Sequence, residues 1–230
     1  MNALSKILAT CLCALAVVGA NAQKGDWASL SHFAADNERV KQLPPEDRRI
    51  VFLGNSIIEL WAKFHPNFFT DNKYIPRGIS GQTSYQYIVR LREDVIDLHP
   101  KYVIMCAPVN DIAENTYAYN EDRTMGNIMT ICELLKAHKI KVILGSGLPS
   151  TSFPWDPSVT DVSRKIQSLN ARVKAYAEKN HMIYADYYPL LEEGNTGEQK
   201  KAYTGDGVHP SREGYTVMEN YIQTIIKKLK

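Results

Sequence analysis

The 230-residue chain is poor in everything that would make it a scaffold, a metal protein or a polyanion binder. It has four cysteines, and Cys11 and Cys13 fall in a leader-like start, leaving Cys106 and Cys132. Two cysteines do not make a disulfide framework; they could pair, or remain as two buried thiols. No C-x-x-C, H-E-x-x-H or calcium-loop spacing occurs, so no metal site is encoded and no metal or organic cofactor is expected. Charge is nearly balanced, with 27 Lys and Arg against 25 Asp and Glu. That leaves no basic field for nucleic acid. The one long apolar run, residues 7–18, is too short to span a bilayer. It follows Lys6 and precedes Ala20-Asn21-Ala22, the small-x-small pattern of a secretory signal peptide, which predicts cleavage after Ala22 and a secreted or periplasmic protein. Residues 23–230 then form one domain, with no transmembrane segment, repeat or low-complexity tract.

What is present is an alternation. Strand candidates at 50–53, 73–76, 102–106, 141–144 and 182–185 are separated by helical patterns near 57–64, 83–97, 122–138 and 162–179. Another helix is expected over 26–42, capped by Asp26 and ended by Pro44-Pro45, and a last one over 211–229. Alternating strands and helices imply a parallel sheet with helices on both faces. Ligands of such sheets bind beyond the carboxyl ends of the strands, where strand order reverses.

The residues just after the strands are therefore the informative ones. "IVFLGNSIIELW" at 50–61 runs a buried strand into Gly54-Asn55-Ser56, and Ser56 stands at a strand-to-helix turn where backbone N–H groups point outward. A plain helix cap explains a serine there equally well. Beyond the second strand comes "RGISGQT" with Gly81; beyond the third, "APVND" with Asn110; beyond the last, "TGDGVHP" with Asp206 and His209. Together they place a hydroxyl, an exposed amide, a carboxamide and an Asp/His pair on one rim. Acyl transfer needs those groups: an imidazole to take the serine proton, a carboxylate to fix the imidazole tautomer, and donors set in advance for the oxyanion. Ser80 has no base suggested for it and reads as a turn residue, while Asp111 reads as a loop brace. Trp61, Tyr85, Tyr87, Phe153 and Trp155 are aromatic candidates for a pocket wall, or for ordinary core.

On these four blocks the chain resembles the SGNH hydrolases, the GDSL esterase/lipase family. The resemblance runs in the family's order from about residue 48 to 216, and "DGVHP" followed by Gly214-Tyr215 is its most specific piece. It implies a flavodoxin-like three-layer α/β/α sandwich around a parallel five-stranded sheet. It also implies Ser56 as nucleophile, His209 as base, Asp206 as its partner, and Ser56 N–H, Gly81 N–H and the Asn110 carboxamide as oxyanion hole. Two departures stand out: Asn55 replaces the Asp usual before the serine, and Pro108 replaces the Gly usual two residues before the asparagine. The compact acetylhydrolase branch is the most similar, which implies a short-chain esterase acting on a small ester or an O-acetylated carbohydrate. A lysophospholipase or thioesterase would require a long apolar groove, and a noncatalytic carbohydrate-binding relative is motivated by Asn55 and Pro108. A G-x-S-x-G elbow is absent, which disfavours an α/β-hydrolase.

Overall fold

The computed structural model describes residues 25–229; the expected signal peptide, 1–22, lies outside the described residues. In chain order the elements are α1 (Ala34–Lys41), a short 3-10 turn (Pro45–Arg48), β1 (Ile50–Gly54), α2 (Ser56–Phe64), α3 (Pro66–Asp71), β2 (Tyr74–Gly78), α4 (Ser84–Asp94), a second 3-10 turn (Ile96–Leu98), β3 (Tyr102–Cys106), α5 (Val109–Ile112), α6 (Glu121–Ala137), β4 (Lys141–Gly145), α7 (Val162–Lys179), β5 (Ile183–Ala185), α8 (Tyr188–Leu191) and α9 (Arg212–Ile226).

All strand pairs are parallel, in the order β2-β1-β3-β4-β5. This is the three-layer flavodoxin-like sandwich anticipated from the sequence. Because successive side chains alternate across a strand, β1 sends Val51 and Leu53 into one core with α1, α4, α6 and α7, and Ile50 and Phe52 into the other with α2, α3 and α9. Both faces are thereby covered, which is why the central strands β1 and β3 read as unbroken apolar runs. Strand order reverses between β1 and β3, so the crevice of the fold opens at the carboxyl end of β1, where Ser56 begins α2.

The close approach of α2 to β2 depends on Gly78. A Cβ there would lie 2.4 Å from Glu59 N and 2.7 Å from Asn55 O. No side chain fits, so the end of β2 can press against the start of α2.

The expected helix over 26–42 forms only from Ala34. Asp26 does cap, but it caps an isolated turn, accepting from Leu30 N–H at 2.6 Å and Ser31 N–H at 2.7 Å. The preceding carbonyls serve other partners: Gln82 Nε2 donates to Ala28 O at 2.8 Å. Ser29 adopts φ 55°. Long-range hydrogen bonds thus override a helical pattern of side chains.

Candidate active site

Ser56 is the first residue of α2, but the cap of that helix is Asn55, whose Oδ1 accepts from Ile57 N–H at 3.0 Å. Asn and Asp cap equally well, so the exchange of Asp for Asn before the serine keeps the local geometry. It also leaves the Ser56 hydroxyl free of capping. That hydroxyl instead lies 2.9 Å from His209 Nε2. His209 Nδ1 lies 2.7 Å from Asp206 Oδ2.

The Asp/His loop is held by its own short-range bonds. Asp206 Oδ1 accepts from Val208 N–H at 2.9 Å and His209 N–H at 2.8 Å. Thr204 Oγ1 accepts from Gly207 N–H at 3.0 Å and donates to His209 O at 2.8 Å. Partial burial raises the Asp206 carboxyl pKa; the His209 side-chain bond and the two backbone bonds outweigh it, and the net shift is downward. A carboxylate charged at neutral pH therefore faces the imidazole.

Gly81 occupies the third position of a turn closed by Gln82 N–H to Ile79 O at 3.3 Å, with φ +77°. This is the type II geometry, which demands a positive φ there and hence glycine. The amide between Ser80 and Gly81 takes no part in closing such a turn and remains available. Glu59 Oε2 accepts from Ser80 N–H, fixing the turn against α2. Asn110, buried at the start of α5, donates from Nδ2 to Gln82 O at 3.0 Å. A carboxamide nitrogen has two hydrogens, so one is left. Pro108, at the cap position of α5, accepts at its carbonyl from Asp111 N–H at 3.0 Å and does not prevent Asn110 from bonding to the glycine turn.

A buried guanidinium ties these parts together. Arg90 Nη2 donates to Gly54 O and Arg77 O at 2.9 Å each, Nε to Gln82 Oε1 at 2.6 Å, and Nη1 to Asp94 Oδ2 at 3.0 Å. The ends of β1 and β2 and the glycine turn thus share one charged anchor. The sequence offered no signal for it beyond an arginine in a helix. Asp111 braces its loop as expected, accepting from Ser84 N–H at 2.8 Å and Thr124 Oγ1 at 3.1 Å.

The aromatic candidates divide. Trp61 is corrected: it is fully buried, with its ring centroid 5.6 Å from that of Tyr215 and 5.2 Å from that of Phe68, and its Nε1 donates to Glu219. Four residues on from Ile57, it shares the core face of α2 and has no access to a substrate. Tyr87 is core as well. Tyr85 is half-buried at the start of α4 and meets Tyr117 edge-on at 5.0 Å. Phe153 is buried and helps line a cavity of about 10 Å³ with Asn55, Ile57, Val109, Leu148 and Val208, on the same rim. Trp155 is 45% exposed and its ring centroid lies 6.0 Å from that of His209. Among the described residues no group of three or more His, Cys, Asp or Glu side chains could hold a metal ion, and no helix is long and apolar enough to cross a membrane. Cys106 and Cys132 are free and buried.

A hydroxyl, an imidazole and a carboxylate thus stand each within hydrogen-bonding distance of the next, at the switch point of a doubly wound sheet and beside a type II glycine turn. Residues 52–217 match the model of the GDSL-like lipase/acylhydrolase family. A GDSL-like lipase from Bacteroides thetaiotaomicron is 50% identical, with a TM-score of 0.85 over 87% of this chain and 98% of that one. A protein described as an acylhydrolase from Bacteroides fragilis is 53% identical, with a TM-score of 0.86 over 89% and 99%. The chain belongs to the GDSL-like lipase/acylhydrolase family and is a hydrolase. An acetylxylan esterase from Geobacillus stearothermophilus, 18% identical with a TM-score of 0.63 over 78% and 94%, shares the fold. An N-acylneuraminate cytidylyltransferase from Escherichia coli is 26% identical over 182 residues, and this chain spans 40% of the length of that curated relative.

Proposed function

We propose that the chain is a secreted serine esterase that removes short acyl groups, acetyl above all, from carbohydrate esters. The observation that carries the reading is the unbroken contact from Ser56 Oγ through His209 to Asp206, 2.9 and 2.7 Å. His209 takes the Ser56 proton as Oγ attacks the ester carbonyl, and Asp206 stabilises the imidazolium. Ser56 N–H, Gly81 N–H and the free Asn110 Nδ2–H receive the oxyanion. His209 returns the proton to the leaving alcohol, leaving an acyl-Ser56 enzyme; it then activates the water that releases the acid. No cofactor enters these steps.

The small acyl group is supported by the loops after β4 and β5: residues 145–161 and 187–204 are polar apart from Phe153, Trp155, the tyrosines and a few aliphatic side chains, and they carry no long apolar insertion. The carbohydrate alcohol is supported by the exposed indole of Trp155 beside His209 and by the acetylxylan esterase among the similar folds. Secretion rests on residues 1–22, with residues 23–230 as the hydrolase domain.

A series of p-nitrophenyl esters tests the reading. A long acyl chain gains only where it buries area, about 0.8 kcal/mol per methylene. Largely polar loops give a long chain little area to bury, so kcat/KM is expected to be highest for acetate and to fall beyond butyrate. A profile rising through octanoate refutes the acetylesterase reading in favour of a lipid or thioester substrate. A fluorophosphonate should label the wild type and not Ser56→Ala; labelling of both rejects Ser56 as nucleophile.

A further inference from the structure

The side chain of Asn115, just beyond α5, makes contacts that the esterase chemistry does not by itself require. Its Nδ2 donates to Gly81 O at 3.0 Å, and its Oδ1 accepts from Trp155 Nε1 at 3.1 Å. Its backbone N–H donates to Asn110 O at 3.2 Å. One exposed residue thus touches both loops that carry the side-chain and glycine donors, and also the aromatic ring beside the base.

Each contact constrains something otherwise free to move. Gly81 has no side chain, and a Cβ built on it would find only Asn115 Nδ2, at 4.0 Å. With φ +77° and open surroundings, its carbonyl orientation is set by hydrogen bonds, and a turn of either hand is accessible to glycine. The bond to Gly81 O holds the peptide plane that directly follows the Gly81 N–H, and so limits how far the turn can shift relative to the Asn110 loop. Trp155 is nearly half exposed; Phe153 backs it at 5.2 Å between centroids, and the single polar atom of its ring is engaged by Asn115. The outer face of the indole is therefore held at a fixed tilt of 35° to the His209 ring.

We propose that Asn115 is a positioning residue that links the site's leaving-group side to its oxyanion side, holding Trp155 as a flat platform for a pyranose ring while it locks the Gly81 turn. The proposal rests on the serine esterase reading. An aromatic face next to the base lies where the departing alcohol must be, because His209 protonates that oxygen. A sugar ring presents axial C–H bonds to such a face. The orientation of the indole and of the Gly81 amide are then coupled through one carboxamide.

Two acetates separate the roles: glucose pentaacetate, which has a ring to stack, and ethyl acetate, which has none, followed by pH-stat titration with melting curves for every variant. Trp155→Ala should raise KM for glucose pentaacetate by about fivefold, the scale of one aromatic contact, and leave KM for ethyl acetate unchanged. Asn115→Ala should lower kcat about three- to tenfold on both, the scale of one lost hydrogen bond at the turn. Asn115→Asp keeps the acceptor for the indole but sets a carboxylate against Gly81 O. It should lower kcat at least as far as Asn115→Ala while holding KM for glucose pentaacetate near wild type. A wild-type kcat in Asn115→Asp, or an equal rise of KM on both acetates in Trp155→Ala, overturns the proposal. Failure of the esterase reading looks different: the wild type then hydrolyses neither acetate and takes no fluorophosphonate label.

Discussion

Replacing Asp206 by Asn separates the chemical from the structural work of that carboxylate. Its Oδ1 holds the loop through the N–H groups of Val208 and His209, and Oδ2 faces His209 Nδ1. An amide oxygen can keep the two backbone bonds, so the loop should stay folded. The amide nitrogen then faces Nδ1 and presents a hydrogen. The favoured imidazole carries its proton on Nε2 and cannot accept one from Ser56. In a fully buried triad this change lowers kcat by about 10⁴. Here the Asp206 side chain is 43% exposed, so solvent lets the imidazole abandon the amide for water. We expect a loss on the order of 10³, or ~4 kcal/mol of transition-state stabilisation. The pH dependence follows from the sign of the Asp206 shift. Its pKa is lowered in the folded protein, so the pair's stabilisation is complete above the ordinary carboxylate value and is lost only as pH falls through the folded value. From about pH 6 to 8, well above the unperturbed Asp pKa of about 3.9, the carboxylate stays charged, so its own titration adds nothing to the pH dependence of the wild-type rate in that window. Initial rates on p-nitrophenyl acetate, with circular-dichroism melting to confirm the fold, make the measurement. A folded variant within about threefold of wild-type kcat refutes the assigned role of Asp206.

Asn110→Ala should cut kcat by roughly 10²–10³ with little change in KM, since its second Nδ2 hydrogen is expected to serve the transition state; an effect on KM alone makes Asn110 a substrate-binding residue instead. Burial pushes the Cys106 and Cys132 thiols up to about 12. Neither should react with a disulfide reagent at neutral pH until denaturant is added, when both should; a denatured, unreduced chain with neither thiol reactive would reveal a disulfide.

The legible parts of the fold were those in which a local pattern and the tertiary structure agree. The third strand, 102–106, and the helix at 162–179 lie where the apolar spacing put them, because each packs a continuous apolar side into the core. The helix expected at 83–97 stops at Asp94, and a 3-10 turn follows over Ile96–Leu98. Helices α3, α5 and α8 are too short to show a period at all. In the N-terminal stretch, Gln82 takes Ala28 O, a partner more than fifty residues away that no window of sequence can see. The cap at α2 is ambiguous in the sequence for a related reason. Both Asn55 and Ser56 cap well, and only the position of His209, at the other end of the domain, shows which of them is free.

The same logic explains why the candidate site divides into a readable half and an unreadable one. In a parallel sheet every strand ends on the same rim, so a residue that directly follows a strand is placed by the strand itself. Ser56 follows β1, Gly81 follows β2 by a three-residue turn, and Asn110 follows β3. Their chemistry is therefore written next to an apolar run that can be recognised. His209 and Asp206 carry their own loop geometry in four residues, through bonds that never leave the segment. Trp155 has neither aid. It lies in the loop after β4, ten residues beyond Gly145, and its orientation comes from Asn115 and Phe153 rather than from a strand. Trp61 stands only five residues from Ser56 in sequence, yet a helix turns that position into the core. Proximity to a strand end brings Ser56, Gly81 and Asn110 to the rim; the placement of Trp155 is decided by hydrogen bonds and ring contacts between loops.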